Sequence, residues 1–449
     1  MSSSRPRLSA ATAGVGGARP GVGIVHLGLG AFHRAHQAVL TRRAMAAVPG
    51  DWAICAVGQR NPTVRDALAA QDGLFTVVER DASGERTEVV DSIREVLLAP
   101  AEPELLTSRL SEVEVVTITV TEAGYRHDPA TGRLRVDDPD VAADLAGRPP
   151  RTVVGQLVRG LAARRRAGGA GQTVLSCDNL PFNGRLVRGL VREFCQLRGE
   201  HELVDWVEAS VAFPSTVVDQ IVPATTAEDL DRVEERLGLV DLAAVVGEPY
   251  RQWVIEDDFA AGRPSWERAG AELVADIAPR QAAKLRLLNG THSALAYLGM
   301  LAGLASTAEA VAREEFAAFA TRLVREETGP SLLRFGVEVG ESEIDTLLTR
   351  LANPRISHRL AQIGADGPRK LPQRLLEPAA ELLAAGREPR LICLALAGYL
   401  RHNQLSTLEF LPSELAGSPV FTTLLADAAR RLDRDGVEQT LRRVSEERS

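Results

Sequence analysis

The sequence predicts an α/β chain: a doubly wound, mostly parallel sheet first, then a helical domain. Three observations carry this. From residue 24 to about 280, short apolar runs alternate with helical patterns. The first of those runs ends in a glycine-containing turn that opens a helical pattern. Beyond residue 280 strand signals nearly vanish and long amphipathic patterns replace them. Apolar strands separated by helices belong to parallel sheets covered on both faces, and the Ala-rich remainder reads as packed helices. The expected divisions are a disordered tail over 1–20, a sheet domain over 21–278 and a helical domain over 279–449.

The first twenty or so residues are rich in Ser, Ala, Gly and Arg and have no apolar centre, so they read as neither signal peptide nor structure. Residues 24–27, 52–57, 113–120, 173–177 and 211–213 read as strands, with helices over 153–166 and 185–197 among those between. The later helical patterns run over 281–304, 307–327, 341–352, 378–385 and 389–402. Arg164-Arg165-Arg166 reads as a solvated helix end. No repeat is visible.

Composition narrows the function classes. The chain has 449 residues, 45% hydrophobic and 25% charged, which suits a globular protein of two or three domains. The net charge of −8 comes with no basic block, so nucleic acid is not an expected partner. No apolar run is long enough to span a bilayer, and a cytoplasmic location is expected. Cys55, Cys177, Cys195 and Cys393 are too scattered for a disulfide framework or a metal site. His33 and His36 can share a helix face, but without nearby carboxylates or thiolates no metal is expected. Nothing in the sequence specifies an oligomeric state.

The run at 24–27 leads into Gly28-Leu29-Gly30-Ala31-Phe32-His33-Arg34-Ala35-His36. Strand, glycine turn and helix form the first turn of a Rossmann-like, dinucleotide-binding sheet, with pyrophosphate at the helix N-terminus. Gly28 gives the tight turn and Gly30 clears the path; His33 stands where a third glycine is usual. The expected cofactor contacts are Gly28, Gly30, Phe32, His33, Arg34, Arg60 and Thr121. Ligands of open parallel sheets sit beyond the carboxyl ends of the strands. Thr121 and Glu122, Asp178 and Asn179, and Asp219 fall at such ends, although caps and turns are the commoner use of these residue types.

Lys284-Leu285-Arg286-Leu287-Leu288-Asn289-Gly290-Thr291-His292-Ser293 places an amine, a carboxamide and an imidazole on one apolar segment. On an α-helix Lys284 and His292 point roughly 80° apart and lie about 12 Å apart along the axis, with all three groups inside a face of roughly 140°. They can then touch different oxygens of one extended, many-hydroxyl substrate. Gly290 leaves room for a backbone or ligand to come close. From spacing alone the same residues also read as a surface lysine, a capping asparagine and a packed histidine.

In order along the chain, these motifs resemble the polyol-specific long-chain dehydrogenases, the mannitol dehydrogenase family, and most closely its fructuronate reductase (mannonate oxidoreductase) members. The resemblance runs from about Gly23 to Pro378. Besides the glycine turn and the Lys284 segment, it rests on Thr119-Val120-Thr121-Glu122-Ala123-Gly124-Tyr125, Ser176-Cys177-Asp178-Asn179, Gln252-Trp253-Val254-Ile255-Glu256-Asp257, Gly262-Arg263-Pro264 and Lys370-Leu371-Pro372-Gln373-Arg374. It implies a metal-independent, nicotinamide-linked dehydrogenase that interconverts a secondary alcohol of a linear polyol or aldonate with its ketose or keto-acid. D-Mannonate/D-fructuronate is the first choice of pair. Mannitol 2-dehydrogenase and mannitol-1-phosphate 5-dehydrogenase activities are the alternatives, and a catalytically weakened nucleotide sensor is a further one. A decarboxylating 6-phosphogluconate-type enzyme also pairs two domains with a Lys and an Asn on one helix; carbon dioxide release distinguishes it.

By the resemblance Lys284 is the general base, Asn179 and Asn289 hold the reacting oxygen, His292 binds substrate and Glu122 lies on the proton path. These roles agree with the chemistry of alcohol oxidation. Asp219, Arg359, Lys370 and Arg374 are expected to bind substrate, the cations by reading a carboxylate or phosphate. NAD is the expected cofactor, with NADP possible because Arg60 rather than an acid follows the second strand. Two departures stand out. Gln220 replaces a usual arginine after Asp219, so an ion pair is lost or replaced. The acidic, glycine-containing loop usual after Tyr399 is missing, which points to a shifted substrate preference.

Overall fold

The computed structural model describes residues 5–16, 19–356 and 358–446. Contacts divide the chain into two units, Met1–Ile277 and Ala278–Ser449.

Among its described residues the first unit contains twelve strands: β1 Val22–Leu27, β2 Ala53–Gly58, β3 Phe75–Asp81, β4 Gly84–Val90, β5 Ile93–Leu98, β6 Val115–Ile118, β7 Gln172–Ser176, β8 Val211–Ala212, β9 Thr216–Asp219, β10 Val245–Gly247, β11 Gln252–Glu256 and β12 Glu272–Val274. Six form one sheet in the order β5-β2-β1-β6-β7-β8, and every pairing in it is parallel. The inner strands β2, β6 and β7 are buried along their whole length, as the unbroken apolar runs require. From β1 the chain moves to β2 on one side and later to β6 on the other. That reversal opens a crevice beyond the carboxyl end of β1.

The unit is more than one doubly wound sheet. Two three-stranded sheets, β10-β3-β4 and β12-β11-β9, flank the main one. Their strands escape a reading of apolar runs because several are polar: β4 is GERTEVV, and Glu79, Arg80, Glu85 and Glu88 of the antiparallel β3–β4 pair take part in ion pairs. Two further expectations are corrected. The described part of the tail is packed: Arg7 bridges Val240, the Leu8 amide donates to Val240 O, and Leu8 is fully buried. Arg19 donates to the carbonyls of Asp72, Asp91 and Ile93. Arg164 is no solvated helix end either. It is buried and donates to the carbonyls of Ser111, Val113, Ala170 and Gly171.

The second unit is helical. Its core packs the helices Gly290–Leu301, Glu314–Arg322, Arg390–His402 and the C-terminal Pro419–Glu446 against one another. Arg390–His402 is buried from Leu391 to Leu400, as befits a helix apolar on all sides. The buried Glu327 carboxylate accepts the Leu391 and Ile392 amides at 2.7 and 2.8 Å and so caps this helix. Among the described residues three π-helical segments interrupt the α-helical pattern: Lys284–Asn289, Leu323–Thr328 and Pro372–Leu376. Such i→i+5 turns are rare and often found at functional sites.

Candidate active site

At the carboxyl end of β1 the chain makes the glycine turn. The Gly28 and Leu29 amides donate to Val57 O at 3.0 and 3.2 Å. Gly28 has φ 115°, and a Cβ there would lie 1.9 Å from the Thr119 carbonyl oxygen. Only glycine fits. Gly30 is different: apart from the Gly28 carbonyl at 4.0 Å, nothing comes near its missing side chain, and the turn stays open there. It faces a cavity of about 700 Å³ lined by Gly28, Gly30, Gln59, Arg60, Thr121 and Arg126 among others. A bare glycine turn at the carboxyl end of β1, with polar groups around a cavity of this size, fits a dinucleotide.

Phe32, His33 and Arg34 do not line this cavity. His33 is fully buried and stacks on His26 with ring centroids 3.4 Å apart. His26, on β1, makes hydrogen bonds with Thr117 Oγ1, Gly28 O and Thr119 Oγ1 at 2.7–2.9 Å. Arg34 is buried and donates to Gly30 O and Ala243 O. Phe32 stacks on His36. The helix that begins at Ala31 is five residues long before a break at His36, and these side chains brace the turn from behind. Burial holds the His26 pKa down to about 3 and that of His33 well below the ordinary imidazole range, so both rings are neutral.

Two loops at neighbouring strand ends carry the other candidates of this unit. Thr121 and Glu122 follow β6, Glu122 opening the 3₁₀ turn Glu122–Tyr125. Asn179 follows β7 and is exposed. Asp219 ends β9, paired with Gln252 of β11, and is buried. The Gln220 side-chain amide donates to Glu248 O at 2.9 Å, while Glu248 Oε1 accepts the Ile221 amide at 2.8 Å.

In the second unit Lys284 opens the π-helical segment and Asn289 closes it. The angles expected of a straight α-helix therefore do not apply between them. The next residue, Gly290, lies against the second π-helical segment: a Cβ would sit 3.1 Å from the Arg374 carbonyl oxygen. Arg374 donates from Nη1 to Ser293 Oγ at 3.0 Å and to Asn289 O at 3.4 Å. Asn289 and His292 are 7% and 5% exposed, yet Asn289 Nδ2 and His292 Nε2 have no hydrogen-bond partner among the described residues. Buried polar atoms left unpaired are costly and mark a place where a ligand completes the set. Burial, with the charges of His358, Arg350, Arg374 and Lys284 behind it, keeps the His292 pKa well below the ordinary value. Its ring packs edge-on to His358, centroids 4.7 Å apart. His358 and Arg350 are neighbours that the sequence reading missed.

The substrate cations separate into two groups. Burial pushes the Arg374 pKa down to about 10. Burial and the neighbouring Arg374 lower that of Lys370, which donates weakly to Ile363 O. Neither forms an ion pair among the described residues. Arg359, which precedes the short helix Leu360–Gly364, is exposed, and the structure shows no hydrogen bond from it to this group. Arg286, inside the π-helical segment, is structural: it is buried and ion-paired with Glu381. One signal in the sequence sharpens the choice. Of 52 basic side chains only Lys284 and Lys370 are lysines. In a chain that uses arginine almost everywhere, both lysines belong to this cluster.

No group of three or more metal-ligating side chains occurs among the described residues, and no helix among them is long and apolar enough to cross a membrane. A nucleotide cleft at a glycine turn, and a helical unit bearing an amine, a carboxamide and an imidazole, define an oxidoreductase of the two-domain dehydrogenase class. Residues 22–268 match the mannitol dehydrogenase Rossmann domain and residues 276–442 the mannitol dehydrogenase C-terminal domain. The chain is 42% identical over 392 residues to an uncharacterized Escherichia coli oxidoreductase, YdfI, covering 84% of this chain and 79% of that one. It is 40% identical over 389 residues to the D-mannonate oxidoreductase of Escherichia coli, covering 85% and 80%. The structure of Pseudomonas fluorescens mannitol 2-dehydrogenase, a ternary complex with NAD and D-mannitol, superposes with a TM-score of 0.83 at 32% identity, covering 99% and 98%. The chain belongs to the mannitol dehydrogenase family.

Proposed function

We propose that this oxidoreductase is a metal-independent NAD-dependent dehydrogenase of linear sugar acids, with D-mannonate/D-fructuronate as the first pair to test. The observation that carries the substrate class is the shortage of counter-charge. Arg374 is partly buried and Lys370 stands near it. Asp366 is the one acid whose charge raises the Lys370 pKa, and neither cation is ion-paired among the described residues. A sugar carboxylate supplies that charge, and a guanidinium offers it a planar, two-pronged contact. The likeness to a D-mannonate oxidoreductase supports the same reading.

Lys284 accepts the hydroxyl proton as the alcohol is oxidised. The nicotinamide, when bound, supplies the hydride acceptor. Asn289 donates its unpaired Nδ2 to the developing alkoxide, and Asn179 keeps the oxygen-holding role that the family resemblance gives it. His292, kept neutral, orients a neighbouring hydroxyl. Glu122 passes the proton on to water, and Asp219 holds a substrate hydroxyl. Arg359 remains a candidate for the far end of the substrate.

The test is a screen of mannonate, fructuronate, mannitol, fructose and mannitol 1-phosphate, followed at the nicotinamide absorbance. The acid pair is expected to exceed the neutral pair in kcat/KM by about tenfold or more, the scale of one charged hydrogen bond. Arg374→Ala should remove that advantage. Higher efficiency with mannitol and fructose, or with the phosphate ester, replaces this reading by the corresponding one, and no turnover at all favours a sensor.

NAD is the better cofactor, with measurable NADP activity. The lining beyond β2 is Gln59, Arg60 and Asn61, with no acid to exclude a 2′-phosphate. A clear NADP preference refutes this assignment, and Arg60→Ala should then weaken NADP selectively.

A further inference from the structure

Thr121 has φ 67° and ψ 165°. That region of backbone space is essentially glycine's, and a β-branched residue enters it only when its surroundings force it. Thr121 also lies on the wall of the nucleotide cleft, immediately before Glu122. The force comes from Asp178. Its Oδ1 accepts the Thr121 amide at 2.8 Å, and its Oδ2 accepts the Val120 amide at 2.9 Å and the Tyr125 hydroxyl at 2.7 Å. The carboxylate is 8% exposed and has no cationic partner among the described residues. Three donors are its whole compensation.

The anchor is firm. Tyr125 is fully buried and also bonds Ser176 Oγ at 2.7 Å. The Asp178 carbonyl accepts Asn183 Nδ2 at 2.9 Å, and Asn183 in turn accepts the Thr216 amide at 2.9 Å. The end of β7 is thus tied to β9, and from there the carboxylate reaches across to the loop after β6. If the loop merely needed φ above zero, glycine would supply it without steric strain. A threonine held there by a buried carboxylate is a fixed geometry.

We propose that Asp178 is a positioning residue: it holds Thr121 in this strained backbone and thereby sets the wall of the nucleotide cleft and the departure of Glu122. The stability arm of the test stands alone; only its turnover arm rests on the dehydrogenase reading above.

The experiment compares Thr121→Gly with Thr121→Ala in the full chain, each with and without Asp178→Asn. Alanine is ordinarily the more stabilising of the two, because glycine frees the unfolded chain. At position 121 the order should reverse, Thr121→Gly melting at least about 2 °C above Thr121→Ala. With Asp178→Asn the single acceptor oxygen cannot serve both amides, the loop relaxes and the gap should close. Thr121→Gly should also bind NAD at least about tenfold more weakly, by direct titration, while its Tm does not fall. In turnover the loss should appear mainly in the cofactor KM. A merely structural role would move stability and binding together. An alanine variant as stable as the glycine variant, a gap unchanged by Asp178→Asn, or unaltered NAD binding by Thr121→Gly overturns the proposal. If no substrate is turned over, the melting and binding results still decide it.

Discussion

Lysine and arginine are not interchangeable at position 284. A base must shed its proton before it can take one, and a guanidinium does not do so in a protein. Lys284→Ala should therefore keep the fold and NAD binding while lowering kcat by a factor of at least about 10². Lys284→Arg, which keeps the charge, should do no better. Near-normal turnover of either purified variant, at any pH up to about 9, removes Lys284 from the mechanism. At this scale the candidates Lys284, Asn289, His292, Gly28, Gly30 and Thr121 could be singled out in the sequence because short motifs mark them. The side chains of Phe32, His33 and Arg34 lie outside the lining of the cavity at the glycine turn, because motif position does not tell which side of a turn a residue faces. The side was decided by His26, which stacks under His33 from β1. His358 and Arg350 carried no local signal at all; only the packing of the helical unit brings their charge to His292.

Two of the π-helical turns carry the candidate substrate residues Lys284, Asn289 and Arg374, and nothing in a sequence distinguishes an i→i+5 turn from an i→i+4 one. The Lys284 segment was expected to be helical, and it is, but its wider turn changes which side chains share a face. Gly290 connects the two turns, so it offers a test. Gly290→Ala puts a methyl group 3.1 Å from the Arg374 carbonyl and must push Pro372–Leu376 outward. The expected result is at least about a tenfold loss in kcat/KM for the acid substrate, carried mainly by KM, since Arg374 moves with its carbonyl. An unchanged KM would show that Arg374 does not hold substrate. Five strands of the parallel sheet were legible because each is an apolar run, whereas the edge strand β5, IREVLL, carries Arg94 and Glu95 and was not. The β3–β4 hairpin and the short strands β9 to β12 were not, because their charged residues are satisfied by partners distant in sequence, such as Arg80 with Asp229.

For the whole molecule, neutral buried histidines link stability to pH. His33 has a folded pKa far below its unfolded value of about 6.5. Below that pH the unfolded chain binds a proton that the folded chain refuses. This contribution is complete above about pH 6.5 and is lost as the pH falls. His33→Phe keeps a ring against His26 and removes the titration. The drop in Tm between pH 7 and pH 5 should be smaller in His33→Phe than in the unaltered protein, and an equal drop would show that His33 takes no part. The tail was misread at this scale too, since a composition poor in apolar residues hides a single Leu8 that finds a buried socket.

The scarcity of lysine makes the pocket spectroscopically isolated. Isotope placed at the lysine ε-carbon gives two side-chain signals for the entire chain, one from Lys284 and one from Lys370. Titrating that pair with and without a bound sugar acid reads the ionisation of the base and the charge of its neighbour directly, with no background from elsewhere in the protein. An amine-acylating reagent is confined in the same way: every lysine it can modify lies in the cluster where the substrate is proposed to bind.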